Sequence, residues 1–354
     1  MPDTNTNKLN IAVLMGGPSL EHKISIDSGI NVLKHLDKSR YNILPVIIDR
    51  KTKWQFAPAY FSERISNQLV QKIIKAENSL FFNGQAAVNH LVKKRPDVVF
   101  LALHGEYGED GTIQKLLGTA GLNYTGSNLL ASALGMDKPK SLAIFKKHRL
   151  PVPNFIVCDT NQWPDQKDKI LRQLSKYFKY PLVIKPSNRG SSLGVSIATN
   201  LTDLNKSIAH AFDASDTIML QQHIKGREIT CAVLDQGPET LALPPTEIIP
   251  LNNSFFNYQA KYQPKSSKEI TPANLSCEVT TAVQNIAIRC HHLLNCRGLS
   301  RTDLIIEGRN QIYILEINTL PGLTKTSLAP QAAAVAGISF SQLLDKIIAN
   351  AIKK

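Results

Sequence analysis

No run in this sequence approaches the ~18 apolar residues of a membrane span, and its start, MPDTNTNKLN, has neither a basic opening nor an apolar stretch. The expectation is a chain without a signal peptide that stays in the cytoplasm. The cysteines, Cys158, Cys231, Cys277, Cys290 and Cys296, are odd in number and lack CxxC spacing. That pattern fits reduced thiols rather than a disulfide or zinc framework. GxxxxGK followed by Ser or Thr occurs nowhere, and Gly16-Gly17-Pro18-Ser19-Leu20-Glu21 does not fit GxGxxG. The P-loop and the dinucleotide fingerprint are thereby removed. Internal repeats and low-complexity tracts are absent as well.

What is present is an ordinary globular composition, 43% hydrophobic and 19% charged. At ~100 to 200 residues per domain, 354 residues predict two or three domains. The formal charge of +13 raises the question of nucleic acid. Its lysines and arginines are scattered, however, and only Lys93-Lys94-Arg95 and Lys146-Lys147-His148-Arg149 form short clusters. Solvated faces on a basic protein are the plain reading, with neither nucleic acid nor membrane as a partner. A small anionic substrate such as a nucleotide fits the remainder.

Leu9 to Met15 reads as a buried strand that Gly16-Gly17-Pro18-Ser19 breaks. Ile26, Ile30, Leu33 and Leu36 then recur at helical spacing before a second strand, Tyr41 to Ile48. A further strand, Asp97 to Leu103, runs into glycine-rich HGEYGEDG, and Thr112 to Leu117 resumes a helix. This alternation predicts a parallel α/β layer over about the first 125 residues. Asn128 to His148 is patterned as helix, stopped by Pro151-Val152-Pro153 before a strand from Asn154 to Val157. After a polar helix, two strand-like runs, Pro181 to Ile184 and Val195 to Ala198, flank Lys, Ser, Asn, Arg and Gly residues that pack no core. A strand ending at Leu220 to Ile224 meets Gly226, a hinge into the last third. Residues 252–276, rich in Asn, Ser, Lys and Pro, read as a long loop of the kind that serves as a lid or is disordered.

Two segments carry chemistry. Arg301 to Glu307 and Gln311 to Asn318 read as strands around Gly308-Arg309-Asn310, a hairpin. A turn centred between Arg309 and Asn310 sets Asp303 opposite Glu316 and Arg301 opposite Asn318, all four on one face at the open end. Two carboxylates ~4.5 Å apart at an effective dielectric of ~20 repel by about 4 kcal/mol, so something positive is expected between them. Carboxylate and amide oxygens without His or Cys suit a hard cation of the Mg²⁺ type that shares its shell with phosphates. The alternative is a solvent-facing edge with Arg301 as counter-ion. The second segment, Asn188-Arg189-Gly190-Ser191-Ser192-Leu193-Gly194 after Lys185, supplies donors, charge and close backbone approach for a polyphosphate. An ordinary mobile hairpin tip is its alternative.

A lysine-bearing strand, a Gly/Ser loop and a distant carboxylate/amide hairpin resemble the ATP-grasp enzymes. GGPSLEHKIS, LALHGEYGEDG, TGSNLLASALGMDK, KPSNRGSSLGV, the QAKY of Gln259 to Tyr262, SRTD and LEINTLPGLTKTS then occur in the order seen in D-alanine:D-alanine ligases, across residues 16–328. The resemblance implies a three-domain α/β and α+β fold: an N-terminal parallel α/β domain (1–126), a central ATP-grasp subdomain (127–224) and a C-terminal one with lid and metal site (225–354). It implies ATP-driven ligation of two D-alanines through an acyl phosphate, for peptidoglycan precursors, by a homodimer. Mg²⁺ is the implied metal, as two ions, with Mn²⁺ as a substitute.

By the same resemblance, Asp303, Glu316 and Asn318 hold the metal. Lys138, Lys185 and Lys261 contact phosphates, with Ser192 capping from the loop, and Glu228 contacts the ribose. Arg301 and the backbone N–H of Gly322 stabilise the oxyanion. Glu21 takes the ammonium of the first D-alanine and is linked to Ser191 and to Tyr262 of the lid. Ser327 and the Leu328 backbone take the carboxylate of the second, and His104 lies by the first. Plainer roles stand beside these: Glu21 as a first-turn helix carboxylate, Tyr262 as a loop aromatic, His104 as a satisfied structural histidine.

Two departures from the family pattern matter. Gln221, followed by Gln222, His223 and Ile224, stands where many members carry a Glu facing the adenine amino group. An amide can still accept there but carries no charge. The segment Lys51 to Arg95 exceeds the shortest members and is read as added surface of the first domain. QAKY resembles ligases that use D-alanine as acceptor, with D-serine left open. Another ATP-grasp ligase would share Lys185, Asp303, Glu316 and Asn318 without needing Glu21, Tyr262 and Ser327 as a set. A nucleic-acid-binding module without turnover is the reading from another class.

Overall fold

The computed structural model describes residues 8–61, 81–190, 194–251 and 267–352. Strand β1 (Leu9–Gly16) lies inside a five-stranded sheet. Ile11 to Met15 are fully buried, as the unbroken apolar run requires of a strand covered on both faces. Helix α1 (His22–His35) crosses to β2 (Tyr41–Ile48), which pairs parallel with β1. The other neighbour of β1 is β5 (Val98–Leu101), also parallel.

The layer is not parallel throughout. Strands β3 (Lys53–Phe56) and β4 (Phe81–Asn83) extend the sheet antiparallel beyond β2. Helix α2 (Gly84–Lys93) follows, with Ala87, Val88 and Leu91 buried. The expectation that Lys51 to Arg95 is added surface is thereby corrected. Trp54 is fully buried, and its Nε1 donates to the Tyr107 hydroxyl at 3.1 Å. The flanking charges, Lys51 and Lys53, hid a short core strand.

After α3 (Thr112–Thr119), the helix expected over Asn128 to His148 is two helices, α4 (Leu129–Met136) and α5 (Lys138–Lys147). Asp137 breaks the run with φ −85° and ψ 89°, and its carboxylate accepts from Lys140 N at 3.1 Å as an N-cap. Pro139 sits in the first turn, where a missing N–H costs nothing.

A four-stranded antiparallel sheet comes next, with β6 (Phe155–Asp159), β7 (Leu182–Pro186), β8 (Ser196–Ala198) and β9 (Thr217–Gln222) in the order β6-β9-β7-β8. Helices α6 (Trp163–Tyr177) and α7 (Leu201–Ala214) cover one face, packing on Leu182, Ile184, Ile218 and Leu220. Alternation puts Val183, Lys185, Met219 and Gln221 on the other. Met219 joins a core shared with the last sheet, so this second face looks toward that sheet.

The last sheet is six-stranded: β10 (Gly226–Gln236), β11 (Glu239–Ala242), β12 (Thr246–Pro250), β13 (Ser267–Ile270), β14 (Leu299–Glu307) and β15 (Gln311–Asn318). Strand β13 corrects part of the long loop expected over 252–276, because it pairs with β12. Helix α8 (Cys277–Leu293) backs the sheet through Val279, Val283 and Ala287. The closing helices, α9 (Leu328–Val335) and α10 (Phe340–Ile352), return to the first core, where Leu343, Leu344, Ile347 and Ile348 are buried. Asp345 on α10 accepts from the Tyr41 hydroxyl at 2.7 Å and pairs with Arg40. Among the described residues no single helix is long and apolar enough to cross a membrane. The bent pair α9 and α10 passes only jointly, and its apolar faces lie in that core.

Candidate active site

The open end of the β14–β15 hairpin has the expected register: Arg301 faces Asn318 and Asp303 faces Glu316. Nearer the turn the register differs by one, with Leu304 opposite Ile314 and Glu307 opposite Gln311. Leu315 is the extra residue of a bulge. Its effect is chemical: plain alternation would put Glu316 and Asn318 on the face of Ile312 and Ile314, which is core. The bulge turns the last residues over, so two isoleucines stay buried while Glu316 and Asn318 join Asp303.

The carboxylates do not face each other uncompensated. Arg301 holds Asp303 with two bonds, Nε to Oδ1 at 3.0 Å and Nη2 to Oδ2 at 3.1 Å. Thr230 on β10 donates to Asp303 Oδ1 at 2.6 Å, and Asn318 Nδ2 donates to Oδ2 at 3.2 Å. Lys138, at the start of α5, lies 3.3 Å from Glu316 Oε2. The positive charge expected between the acids is thus supplied by Arg301 and Lys138, and repulsion alone does not demand a metal. The donor set still fits a hard cation. Asn318 spends its amide N–H on Asp303 and keeps its carbonyl oxygen, which with two carboxylates leaves positions for phosphate oxygens and water. Among the described residues no three His, Cys, Asp or Glu side chains gather as a metal set, at the hairpin or elsewhere; the hairpin offers two carboxylates and one amide.

Lys138 also fixes the Gly/Ser loop. Its Nζ donates to Arg189 O at 2.6 Å and its backbone N to Ser187 O at 3.1 Å. Arg189 is held by protein groups: Nη1 pairs with Glu106 Oε2 at 2.9 Å and Nε donates to Ala214 O at 3.0 Å. Glu21 reaches the same loop. A Cβ added at Gly190 would stand 3.1 Å from Glu21 Oε2, and one at Gly105 2.7 Å. Glu21 sits at the N-cap of α1, and its side chain makes no capping bond there. Loop, first domain and hairpin therefore converge. Ser191, Ser192, Lys261 and Tyr262 lie outside the described residues.

His104 is buried behind this junction. Its Nδ1 lies 3.2 Å from Leu320 O and 3.6 Å from Glu109 Oε1, and its Nε2 2.9 Å from Ser28 Oγ. Two acceptors at Nδ1 place the hydrogen there. Ser28 takes the Leu323 N–H at 3.3 Å, and Asn31 Nδ2 donates to Leu323 O at 2.8 Å. The histidine thus clamps the segment that carries Gly322. At Gly322 a Cβ would meet Ser327 Oγ at 2.7 Å, so any side chain there would push the Ser327 hydroxyl aside. Ser327 heads α9, and its hydroxyl takes Thr324 N at 3.0 Å rather than capping the helix. Leu328 packs on Ile248.

On the central sheet Lys185 and Gln221 are both buried, opposite Met219 and Val183 respectively. Gln222 takes a bond from Asn154 Nδ2 at 3.4 Å, and Ile224 is buried. Glu228 on β10 faces Ile305 and Ile248. Three residues at the site are not singled out in the sequence, although Glu109 lies within the HGEYGEDG motif. Thr230 is the bond to Asp303. Glu109 has its carboxyl pushed up by burial, helped by Glu21 nearby, against bonds from His104 and Gly105 N. Glu269 on β13 is exposed, and partial desolvation nudges its carboxyl upward, although Gln331 donates to it at 3.0 Å and Arg301 attracts it.

The D-ala D-ala ligase N-terminus family matches residues 10–127 and the D-ala D-ala ligase C-terminus family residues 144–349. A D-alanine–D-alanine ligase of Syntrophobacter fumaroxidans is 40% identical, covering 99% of each chain. Among solved structures, the VanG D-Ala:D-Ser ligase of Enterococcus faecalis superposes with a TM-score of 0.84 at 31% identity, covering 97% of this chain and 99% of its own. The Bacillus anthracis D-alanine–D-alanine ligase complexed with ATP gives 0.75 at 30%, covering 98% of each. The architecture is the ATP-grasp fold of these enzymes. The chain belongs to the D-alanine–D-alanine ligase family and is an ATP-binding ligase that joins two D-alanines for peptidoglycan synthesis.

Proposed function

We propose that the reaction runs where the hairpin, the Gly/Ser loop and the Gly322 segment meet. The carboxylate of the first D-alanine attacks the γ-phosphorus of ATP, the bond to the bridging oxygen breaks, and an acyl phosphate and ADP result. The amine of the second D-alanine, having lost a proton, attacks the acyl carbon, and phosphate leaves. A carboxylate is a poor electrophile, so catalysis is mostly positioning and charge neutralisation.

Lys138 and Lys185, with Lys261 and Ser192, hold the nucleotide phosphates, Glu228 the ribose, and Gln221, Gln222 and Ile224 the base. Asp303, Glu316 and Asn318 hold Mg²⁺, as two ions, with Mn²⁺ as a substitute; bound there, the metal neutralises phosphoryl oxygens. Arg301 already sits among the carboxylates, and with the Gly322 N–H it meets the oxyanion. Glu21, tied to Ser191 and Tyr262, orients the first ammonium, with His104 behind it. Ser327 and the Leu328 N–H take the second carboxylate at a helix N-terminus. Domains of 1–126, 127–224 and 225–354, a cytoplasmic location and a homodimer complete the proposal; sedimentation reads the last.

The observation that carries this is the bulge-directed meeting of Asp303, Glu316 and Asn318 beside Lys138, which itself grips the loop. Release of ADP and phosphate with Mg²⁺ is followed against D-alanine, L-alanine, D-serine and D-lactate. D-Alanine alone should drive full turnover. Release driven by L-alanine and not by D-alanine would overturn the reading.

A further inference from the structure

Gln221 is the best-buried polar side chain of the central sheet, 1% exposed, and its Nε2 has no hydrogen-bond partner among the described residues. It stands on the face that looks toward the last sheet, opposite Val183 and one strand pair beyond Lys185 and Met219. From the Gly/Ser loop at the end of β7, the order along this face is Ser187, Lys185, then Val183 with Gln221, and last the link to Gly226. At about 3.4 Å per residue, Val183 and Gln221 lie some 13 Å from Ser187. A nucleotide whose phosphates lie at the loop and Lys185 brings its base to Gln221.

The surroundings suit a base. Val183 and Ile224 are 7% and 4% exposed, yet neither belongs to any hydrophobic cluster formed by the described residues. Flat apolar walls with one polar group between them are how a pocket both holds and orients an aromatic ligand. The amide differs from a carboxylate in what it offers. An ionised carboxylate only accepts, so it selects a 6-amino group and repels a 6-oxo group. The Gln amide has an N–H₂ as well as a carbonyl oxygen. It pairs with the amino group and an adjacent ring nitrogen of adenine, or gives its N–H to O6 of hypoxanthine or guanine.

We propose that Gln221 reads the nucleobase and that its amide admits 6-oxopurine nucleotides alongside adenine nucleotides. This rests on the ATP reading of the cleft and deepens it. ADP and IDP, which differ at the 6-position and the N1 hydrogen, are titrated by calorimetry into the full-length wild type, Gln221→Glu and Gln221→Leu, and ATP and ITP are compared in turnover.

The wild type should bind IDP within about tenfold of ADP, where a site built to pair with one specific hydrogen-bonding group rejects its analogue by about 10⁴. Gln221→Glu should widen the ADP-to-IDP ratio by tenfold or more, chiefly by weakening IDP. Gln221→Leu should weaken both alike. The ratio within each variant is independent of how much of it folds. A wild-type gap beyond tenfold, or a gap unchanged in Gln221→Glu, overturns the inference and leaves the ATP reading standing. Failure of the wild type to bind either nucleotide overturns both.

Discussion

The two sheets that face each other across the cleft treat their polar atoms in opposite ways. On the last sheet, Asp303 is met by Arg301, Thr230 and Asn318, and Glu316 by Lys138. On the face of the central sheet that looks toward the last sheet, Gln221 Nε2 is buried with no partner among the described residues, and so is Ser187 Oγ just beyond β7. On its site face the hairpin is internally balanced, and a ligand must exchange places with protein groups already there; the buried Thr302 Oγ1, without a hydrogen-bond partner among the described residues, lies on its core face. The central sheet instead carries a standing cost, about 1–3 kcal/mol for each unmet group, that a nucleotide could relieve.

The largest expected effect tests the balanced side. Glu316→Gln keeps the shape and should keep the fold, but it removes a charge that the proposed metal requires. Turnover should fall roughly 10³-fold or more, since a metal on phosphoryl oxygens is worth several kcal/mol. A Mg²⁺ titration of activity with a far-UV spectrum for the fold measures this; unchanged activity would break the contrast. A smaller loss is expected from Thr230→Val, which takes away one bond that aims Asp303. Apparent Mg²⁺ affinity should drop by about 10–100-fold, as for other groups that orient a metal ligand.

The opposite pattern is expected across the cleft. Ser187→Ala deletes a buried hydroxyl that has no partner among the described residues, so the free enzyme should melt no lower and gain up to about 1 kcal/mol. Nucleotide affinity should nonetheless weaken several-fold by titration. A variant that loses stability while binding nucleotide as before would show that Ser187 is structural, and the two sheets would no longer differ in kind.

Much of the balanced side is legible in sequence because its logic is local. Two strands, a short turn and alternation suffice to bring Asp303 opposite Glu316. What that reading misses is Leu315: the turn closes one residue earlier than expected, and the bulge restores the register. The spacing of Ile312, Ile314 and Ile317, two and then three, is the trace it leaves. The Trp54 strand is harder to see, being four residues long and opening on a lysine, and its burial depends on a later helix. Glu269 is illegible in principle, a common surface residue type that the fold carries to Arg301 from another strand with no neighbour in sequence to mark it. Glu109 lies in the HGEYGEDG motif five residues after His104, but nothing in the motif tells that the fold buries it.

Glu109 offers the smallest effect and a test of whether hydrogen bonds make a buried charge comfortable. Its side chain is 15% exposed, with His104 and Gly105 N as partners, yet burial and the nearby Glu21 outweigh them and raise its pKa above the ordinary 4.5. A carboxyl whose folded pKa exceeds its unfolded one binds its proton sooner in the native state. Stability linked to it therefore rises as pH falls through the window above 4.5 and is lost as pH climbs back. Relative to Glu109→Gln, which does not titrate, the wild type should gain stability as pH is lowered across that window. Denaturant melts of both proteins at matched pH values measure the difference. If the wild type instead loses ground on acidification, the His104 and Gly105 bonds prevail over burial, and Glu109 belongs with Asp303 among the groups the fold has fully balanced.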